Sequence, residues 1–475
     1  MMDIQAFRKN AHQMVDWMAD YFEQIEQYPV KSQVKPNDIY QLLPETAPEQ
    51  AEDFQAIFSD FQKTILQGIT HWQSPNFFAY FPANSSYPSV LAEMLTATMG
   101  AQCMIWETSP AAAELEERMM EWLKEMMGLP NEFVGVIQDT ASTATLCAIL
   151  SAREKASGFT INHTGFTGKE QFRVYCSSQT HSSIDKAVRI AGLGSDHLRK
   201  IEVDEHFAMK ADKLQAAIIE DIANGFTPLC VVAATGTTSS TAMDPIKMIG
   251  EVCQQHNVWL HVDAAYAGTA AILPEKRWIL DGLELADSYV FNPHKWMFTN
   301  FDCTAYYVKD KGALIRTFEI LPEYLKTKND HTVNNYRDWG VQLGRRFRAL
   351  KLWFVIRSFG VEGIRNRLRD HLSYATYFEQ EIKQRFEVEI MTPTHLNLVC
   401  FRFKPTGLSE DALEKYNQGI LDNINKSGKA YLTHTKLDGK YTIRAVFGQT
   451  YLQKKHVSAL ISLLEEVNTE HTLKR

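Results

Sequence analysis

Lys295 stands in the run "YVFNPHKWMFTNFDC", Tyr289 to Cys303, between His294 and Trp296 and with apolar residues on both sides. An ammonium is costly to bury, and desolvation lowers its pKa. A lysine in such a setting either snorkels, with its stem on apolar surface and its head in water, or has chemistry to do. Other reactive residue types recur just after short apolar segments. Asp263 follows "NVWLHV" and precedes Ala264, Ala265, Tyr266, Ala267 and Gly268. Asn292, Pro293 and His294 follow "DSYVF", Thr235 to Thr238 follow "PLCVVAA", and His181 follows "FRVYCSSQT". "DTAS", Asp139 to Ser142, opens the helical stretch "TATLCAILSAREK". Taken singly, each has a structural explanation: a helix cap for Asp263, a core imidazole for His181, a plain turn for the threonines and N-cap chemistry for "DTAS".

Taken together they need one explanation. Free N–H groups and hydroxyls at a helix start suit a phosphate dianion. There is no G-x-x-x-x-G-K-[ST] and no G-x-G-x-x-G, so a nucleotide is not indicated. No H-E-x-x-H or other zinc spacing appears, so a metal is not indicated either. A phosphate, an aspartate and an interior lysine point to pyridoxal phosphate (PLP), with the lysine in a Schiff base and the carboxylate holding the pyridine nitrogen protonated.

The elements that must position these residues follow from hydrophobic pattern. From about 130 to 310, "FRVYCS", "PLCVVAAT", "NVWLHVD", "DSYVFN" and "CTAYYV" alternate mostly with helical stretches. This predicts a mainly parallel sheet with helices on both faces and ligands beyond the carboxyl ends of its strands. Upstream, Asp3 can cap a helix to about Gln27 with Phe7, Met14, Val15, Met18, Phe22 and Ile25 on one stripe. Pro29, Pro36, Pro44 and Pro48 predict an extended arm, and a second amphipathic helix carries Phe54, Ile57, Phe58, Phe61 and Ile65. "ETSPAAAELEERMMEWLKEMMGLP" is a helix with Ser109 as cap, Pro110 in its first turn and Gly128 as its stop. From about 345 a long helical stretch leads to "FEVEI", "LNLVCFRF" and "YTIRAVF", with helices near 409–426 and 452–468, a smaller α+β domain.

The 475 residues allow two or three domains, and 45% hydrophobic with 22% charged residues fit an ordinary globular enzyme. A formal charge of -8 disfavours bulk attraction to nucleic acid or anionic membrane. No apolar run approaches the roughly 18 residues of a membrane span, and "MMDIQAFRKNAHQ" lacks a signal peptide's apolar region. Seven cysteines without a C-x-x-C pair give no disulfide framework and no zinc knuckle, so the expected location is cytoplasmic.

With these residues in view the sequence resembles the group II PLP-dependent decarboxylases, and within them the bacterial type of aromatic L-amino-acid decarboxylase. "HWQSPNFFAYFPANSSYP", "GVIQDTASTATL", "HSSIDKA", "WLHVDAAYAG", "FNPHKW" and "LGRRFRALKLWF" carry the likeness in the family order across nearly the whole chain. The resemblance implies PLP fold type I: a mainly parallel seven-stranded sheet in a large domain, an N-terminal helical wrap and a smaller C-terminal α+β domain. The boundaries expected are 1–85 for a dimerisation segment, 86–350 for the PLP-binding domain and 351–475 for the small domain. It implies decarboxylation of a tryptophan, tyrosine, phenylalanine or DOPA type of amino acid, through an external aldimine and a quinonoid, in a homodimer with active sites at the interface.

Residue by residue, the resemblance gives Lys295 the cofactor, Asp263 the pyridinium, and Ala265 a place against the ring, with His181 stacked over the opposite face. Ala141, Ser142, Thr238, Asn292 and His294 surround the phosphate and its neighbourhood. Tyr324, in "LPEYLKTKND", is the proton donor on a loop. Phe81, Met104, Trp106, Phe301 and Gly344 match pocket positions, some from the partner chain. The chain departs from the family at Asp139, often Gly, where an acid is tolerable if it caps the helix, and at Ala83, often Thr. Gln102 and Met104 replace an Ile and a Phe of the mammalian enzymes. A PLP aldehyde synthase on the same scaffold is the alternative, although there the loop Tyr is commonly Phe or the stacking His is replaced. A non-catalytic PLP-fold module is disfavoured because Lys295 and Asp263 remain. A decarboxylase of a non-aromatic amino acid such as glutamate is disfavoured by the aromatic "FFAYFP".

Overall fold

A computed structural model describes residues 2–320 and 332–473. The chain separates into two compact units rather than three consecutive domains: Met1–Pro82 with Tyr374–Met391 and Val399–Arg475, and Ala83–Ser373 with Thr392–Leu398. The expected boundaries near 85 and 350 are therefore redrawn. The N-terminal segment shares a unit with the C-terminal one, and the second boundary falls inside the helix Arg348–Arg385, beyond a break at Gly360 (φ 65°).

The larger unit is built on strands β1 (Val134–Gln138), β2 (Phe172–Ser177), β3 (Leu198–Ile201), β4 (Thr227–Ala234), β5 (Trp259–Asp263), β6 (Ser288–Phe291) and β7 (Thr304–Val308). Among the described residues these form a seven-stranded sheet in the order β1-β7-β6-β5-β4-β2-β3. Only β7 runs against the rest. The strands β4 to β7 are almost fully buried. Continuous burial explains why their sequences read as unbroken apolar runs instead of alternating. The helix Pro110–Met127 starts after Ser109 with Pro110 in its first turn and ends at Gly128, whose φ of 68° suits glycine. The Ser109 side chain makes no cap bond; its carbonyl accepts from Ala112 and Ala113.

That helix also buries Glu116. Its Oε1 accepts from Ile137 N–H at 2.8 Å and from Arg345 Nη2 at 2.6 Å, and the same guanidinium donates to the Ile137 carbonyl at 2.7 Å. Removing one member of a buried ion pair strands the other charge, at roughly 3–5 kcal/mol. Glu116→Ala is expected to lower the thermal midpoint by several degrees, measured by differential scanning calorimetry of the purified protein.

In the smaller unit, β8 (Val388–Ile390), β9 (Leu398–Phe403), β10 (Thr433–Leu437) and β11 (Lys440–Val446) form a sheet in the order β10-β11-β9-β8. Its core joins Phe78 to Phe378, Phe401, Ile443 and Phe447. β10 has a polar sequence that the hydrophobic reading missed. Asp438-Gly439, both with positive φ (48° and 72°), turns it into β11, a turn type that favours Asp-Gly. Asp3 caps the first helix, Ile4–Glu23, by accepting from Ala6 N–H at 2.8 Å. The proline-rich arm is not wholly extended. It holds a short helix, Asp38–Leu42, and Val30 is buried, exchanging backbone bonds with Gly428 and His71.

Candidate active site

The registers Gln138↔Thr304, Asp263↔Val290 and Ala234↔Asp263 bring the carboxyl ends of β1, β4, β5 and β6 and the start of β7 to one edge of the sheet. Asp263 ends the central strand β5. It is buried, and its Oδ1 accepts from Ala265 N–H at 3.0 Å. β6 leads through Asn292 into the four-residue helix Pro293–Trp296, which carries Lys295. Lys295 keeps partial solvent access. Burial of its amine nevertheless lowers its pKa, and the Asp263 carboxylate opposes that fall. The two groups thus act on each other at this edge of the sheet.

His181 follows β2 and is exposed on one side. Burial of the other side lowers its pKa, the charge of Lys295 adds to the effect, and Asp263 acts against it. Its Nδ1 accepts from Ser183 N–H at 3.1 Å and lies 2.9 Å from Ser183 Oγ, which leaves the proton on Nε2. His294 is buried, and its Nδ1 accepts from Cys303 N–H at 3.0 Å. Its pKa is pushed down to about 3, by burial first and then by the charge of Lys295. Behind Asp263 on the same strand, His261 sits between Ser288 Oγ (2.9 Å) and Thr145 Oγ1 (3.2 Å), with its pKa lowered to about 4 by burial. It is a satisfied core histidine.

The helix Ala141–Ala156 begins at this edge with Thr140 as its cap. Asp139 does not cap it. Asp139 Oδ1 accepts from Thr140 N–H at 2.6 Å and Oδ2 from Gln342 Nε2 at 3.2 Å, while Thr140 Oγ1 takes the cap bond. The N–H groups of Ala141 and Ser142 have no acceptor among the described residues. Thr238 is exposed in the turn after β4, whose backbone is tied at Gly236 and Thr237 to the carbonyl of Ala242.

Three supports escaped the sequence reading. Asn84 donates from its side chain to the Lys295 carbonyl at 2.8 Å and from its backbone to that of His294 at 3.1 Å. Thr304 Oγ1 lies 3.0 Å from both Asn292 Oδ1 and the Asp139 carbonyl. Gln342 holds Asp139 as above. Asn84 lies inside "FFAYFPANSS", so the motif flagged its neighbourhood; Thr304 and Gln342 carry no local signal.

The pocket positions divide. Phe301 is 57% exposed, with its ring centroid 4.7 Å from that of His294. Gln102 Oε1 accepts from Arg345 N–H at 2.7 Å, and its Nε2 lies 3.3 Å from where a Cβ on Gly344 would stand, so these two form one cluster. Met104 accepts on its carbonyl from Arg337 N–H at 2.8 Å, and Trp106 is held by Asn335 and Glu114, each at 2.9 Å. Phe81 belongs to the smaller unit, where the Arg444 guanidinium lies 5.5 Å from its ring centroid. Tyr324 lies outside the described residues.

The chain's residues 36–404 match the pyridoxal-dependent decarboxylase conserved domain. The chain is 42% identical over 478 residues to tyrosine decarboxylase 2 of Narcissus pseudonarcissus, covering 98% of this chain and 95% of that protein. It is also 42% identical to the phenylacetaldehyde synthase of Arabidopsis thaliana, covering 98% and 96%. The crystal structure of Oryza sativa TDC with PLP and tryptamine superposes with a TM-score of 0.96 at 34% identity, over 99% of both chains.

Proposed function

Because the chain belongs to the pyridoxal-dependent decarboxylase family, we propose that its site removes the α-carboxylate of an aromatic L-amino acid, of tryptophan, tyrosine, phenylalanine or DOPA type, to give the amine and carbon dioxide. The observation that carries this is the desolvated Lys295 facing the buried carboxylate of Asp263 at the strand ends. The site suits PLP. Lys295 has the lowered pKa that a Schiff-base lysine needs. Asp263 keeps one oxygen beyond its bond to Ala265 for a ring nitrogen, and Ala141 and Ser142 offer unused N–H groups for a phosphate. When bound, PLP supplies the electron sink for the pair left as carbon dioxide departs.

The chain's own residues do the rest. Asp263 favours the protonated form of the nitrogen it faces, because an opposite charge stabilises a cation. Lys295 is neutral for a larger fraction of the time than a surface lysine, so it can take and return a proton. His181, with its proton on Nε2, would stack on one face of the ring, and Ala265 would leave room for it on the other. Asn292 and His294, set by Thr304 and Cys303, would hold the phosphate end. Fixing the scissile bond perpendicular to the ring is a matter of positioning, worth several kcal/mol in general. Incubating the purified protein with a panel of amino acids and identifying products by mass tests the reading. Amines from the aromatic members support it, and turnover of glutamate alone overturns it.

The second reading, an aldehyde synthase that joins decarboxylation to oxidative deamination, has the phenylacetaldehyde synthase among the chain's relatives in its favour. The tyrosine at 324 and the histidine at 181 favour simple decarboxylation. Tyr324→Phe keeps the ring and removes the hydroxyl that matches the family's proton donor. It is expected to reduce amine sharply and to yield aldehyde and ammonia with consumption of oxygen, followed by an oxygen electrode and product analysis. Amine at the parent rate would assign the proton to another group.

The working form is a homodimer. Supporting this, no residue of the helix Ile4–Glu23 is buried, and Ile4, Phe7 and Val15 are exposed. On the helix Tyr87–Met99 the exposed Tyr87, Leu91, Leu95 and Met99 recur every four residues, a single apolar stripe. Leu91→Asp with Leu95→Asp is expected to yield monomer by light scattering with loss of activity; an unchanged dimer would remove that stripe from the interface. No described helix is long and apolar enough to cross a membrane, and a cytoplasmic enzyme is the reading that suits seven buried cysteines with no disulfide.

A further inference from the structure

Four cations crowd "LGRRFRALK", and each meets a carboxylate from elsewhere in the larger unit. Arg345 pairs with Glu116 at 2.6 Å, Arg346 with Glu93, Lys351 with Glu93 at 2.9 Å, and Arg348 with Asp302. The last pair differs in what it adjoins. Arg348 is bidentate, donating from Nε to Asp302 Oδ1 at 2.8 Å and from Nη2 to Oδ2 at 3.2 Å, and both side chains are largely buried. Asp302 is the middle residue of a three-residue cradle around His294. On one side the Phe301 ring packs against the imidazole, and on the other Cys303 N–H donates to Nδ1 at 3.0 Å. The His294 N–H in turn faces the Cys303 carbonyl at 3.3 Å.

An imidazole has two neutral tautomers, and the bond at one nitrogen decides what the other presents. With Nδ1 accepting from Cys303, the proton sits on Nε2, and the ring offers a donor. That arrangement lasts only while the Phe301–Cys303 backbone keeps its place, and the fork-shaped Arg348–carboxylate pair is the side-chain anchor of that backbone. We infer that Arg348 and Asp302 are positioning residues that keep the proton of His294 on Nε2, aimed at the cofactor phosphate. The inference rests on the reading that places His294 beside that phosphate. Charged groups that act on His294 are Lys295, Lys351 and Asp302. Removing Arg348 leaves the Asp302 carboxylate, one of the charges that act on His294, without its bidentate partner, and the ring then has reason to turn Nδ1–H toward it.

The test uses holoenzyme of the parent, Arg348→Met, Asp302→Asn and Arg348→Lys, with Arg346→Met as a neighbouring-cation control. Long-range proton–nitrogen correlation spectra of the imidazoles, with the His294 signal assigned by His294→Asn, read the tautomer. Loss of cofactor to a scavenging kinase reads retention, and kcat is measured at saturating PLP. Arg348→Met and Asp302→Asn are expected to shift His294 from the Nε2–H pattern and to weaken PLP retention about tenfold, the worth of one good hydrogen bond. At saturating PLP their kcat should stay within about twofold, Arg348→Lys should recover most of the parent behaviour, and Arg346→Met should match the parent. A parental tautomer in both variants overturns the inference, whatever their melting temperatures. A shifted tautomer with unchanged PLP retention upholds the positioning of His294 and instead removes His294 from the phosphate. If Arg348→Met does not fold, Asp302→Asn, which keeps the side chain's size, decides alone.

Discussion

Lys295→Ala is expected to reduce amine formation by at least about three orders of magnitude, the upper range for removal of a group that transfers protons. The residue combines two properties that no other lysine among the described residues of the site region shares. It sits at the end of the central strands, and its pKa is lowered by burial while Asp263 limits the fall. A neutral amine in that setting is both a nucleophile for a carbonyl and a base. Lys351, although fully buried, is paired with Glu93 and has no such freedom. The parent should be yellow as purified, and borohydride should fix the cofactor to a single peptide containing Lys295, identified by mass spectrometry. The variant should lose the label. A label on another lysine would move the active site elsewhere and remove the assignment of Asp263 with it.

Asp263→Asn is expected to leave PLP bound and to lower kcat by about a thousandfold. The substitution preserves the acceptor for Ala265 N–H and the volume of the side chain, and replaces the charged second oxygen with a neutral amide NH2. Two unit charges about 4 Å apart at an effective dielectric constant near 20 interact by about 4 kcal/mol. That is close to three powers of ten in rate if the charge on the ring nitrogen is needed only while the electrons are held there. Two further readouts separate this from a folding defect. The pKa of Lys295 should fall further, because Asp263 is the group that holds it up. A cofactor analogue methylated on the ring nitrogen, which carries a permanent positive charge, should restore part of the rate to the variant and add little to the parent. A variant within tenfold of the parent would show that the carboxylate is not the partner of the ring.

These groups were legible in sequence because a parallel sheet converts local order into common position. Each of Asp263, Lys295, His181 and the "DTAS" turn follows or adjoins one short apolar segment, and strands that run the same way end on the same edge. Helix punctuation was legible for the same reason of locality: Asp3, Pro110 and Gly128 act within a turn of the chain. β10 was missed because its residues are polar and half exposed, although Asp438-Gly439 marked the turn. The place of Asp139 was not legible, because its neighbour Thr140 takes the cap bond and only the fold supplies the Gln342 amide that holds the carboxylate.

The sequence by itself determined the reactive set and the kind of sheet that carries it, since hydrophobic period, turn residues and strand-end chemistry are properties of neighbours along the chain. Tertiary structure decided what depends on residues far apart. It joined the first 82 residues to the C-terminal unit through a core in which Phe78 packs with Phe378, Phe401 and Phe447. It set Asn84 on the Lys295 carbonyl across 211 positions and brought Arg348 to Asp302 across 46. It also fixed the tautomers of His181 and His294, because an imidazole's proton goes where the surrounding donors leave it, and those donors, Ser183 and Cys303, act only once the backbone is in place.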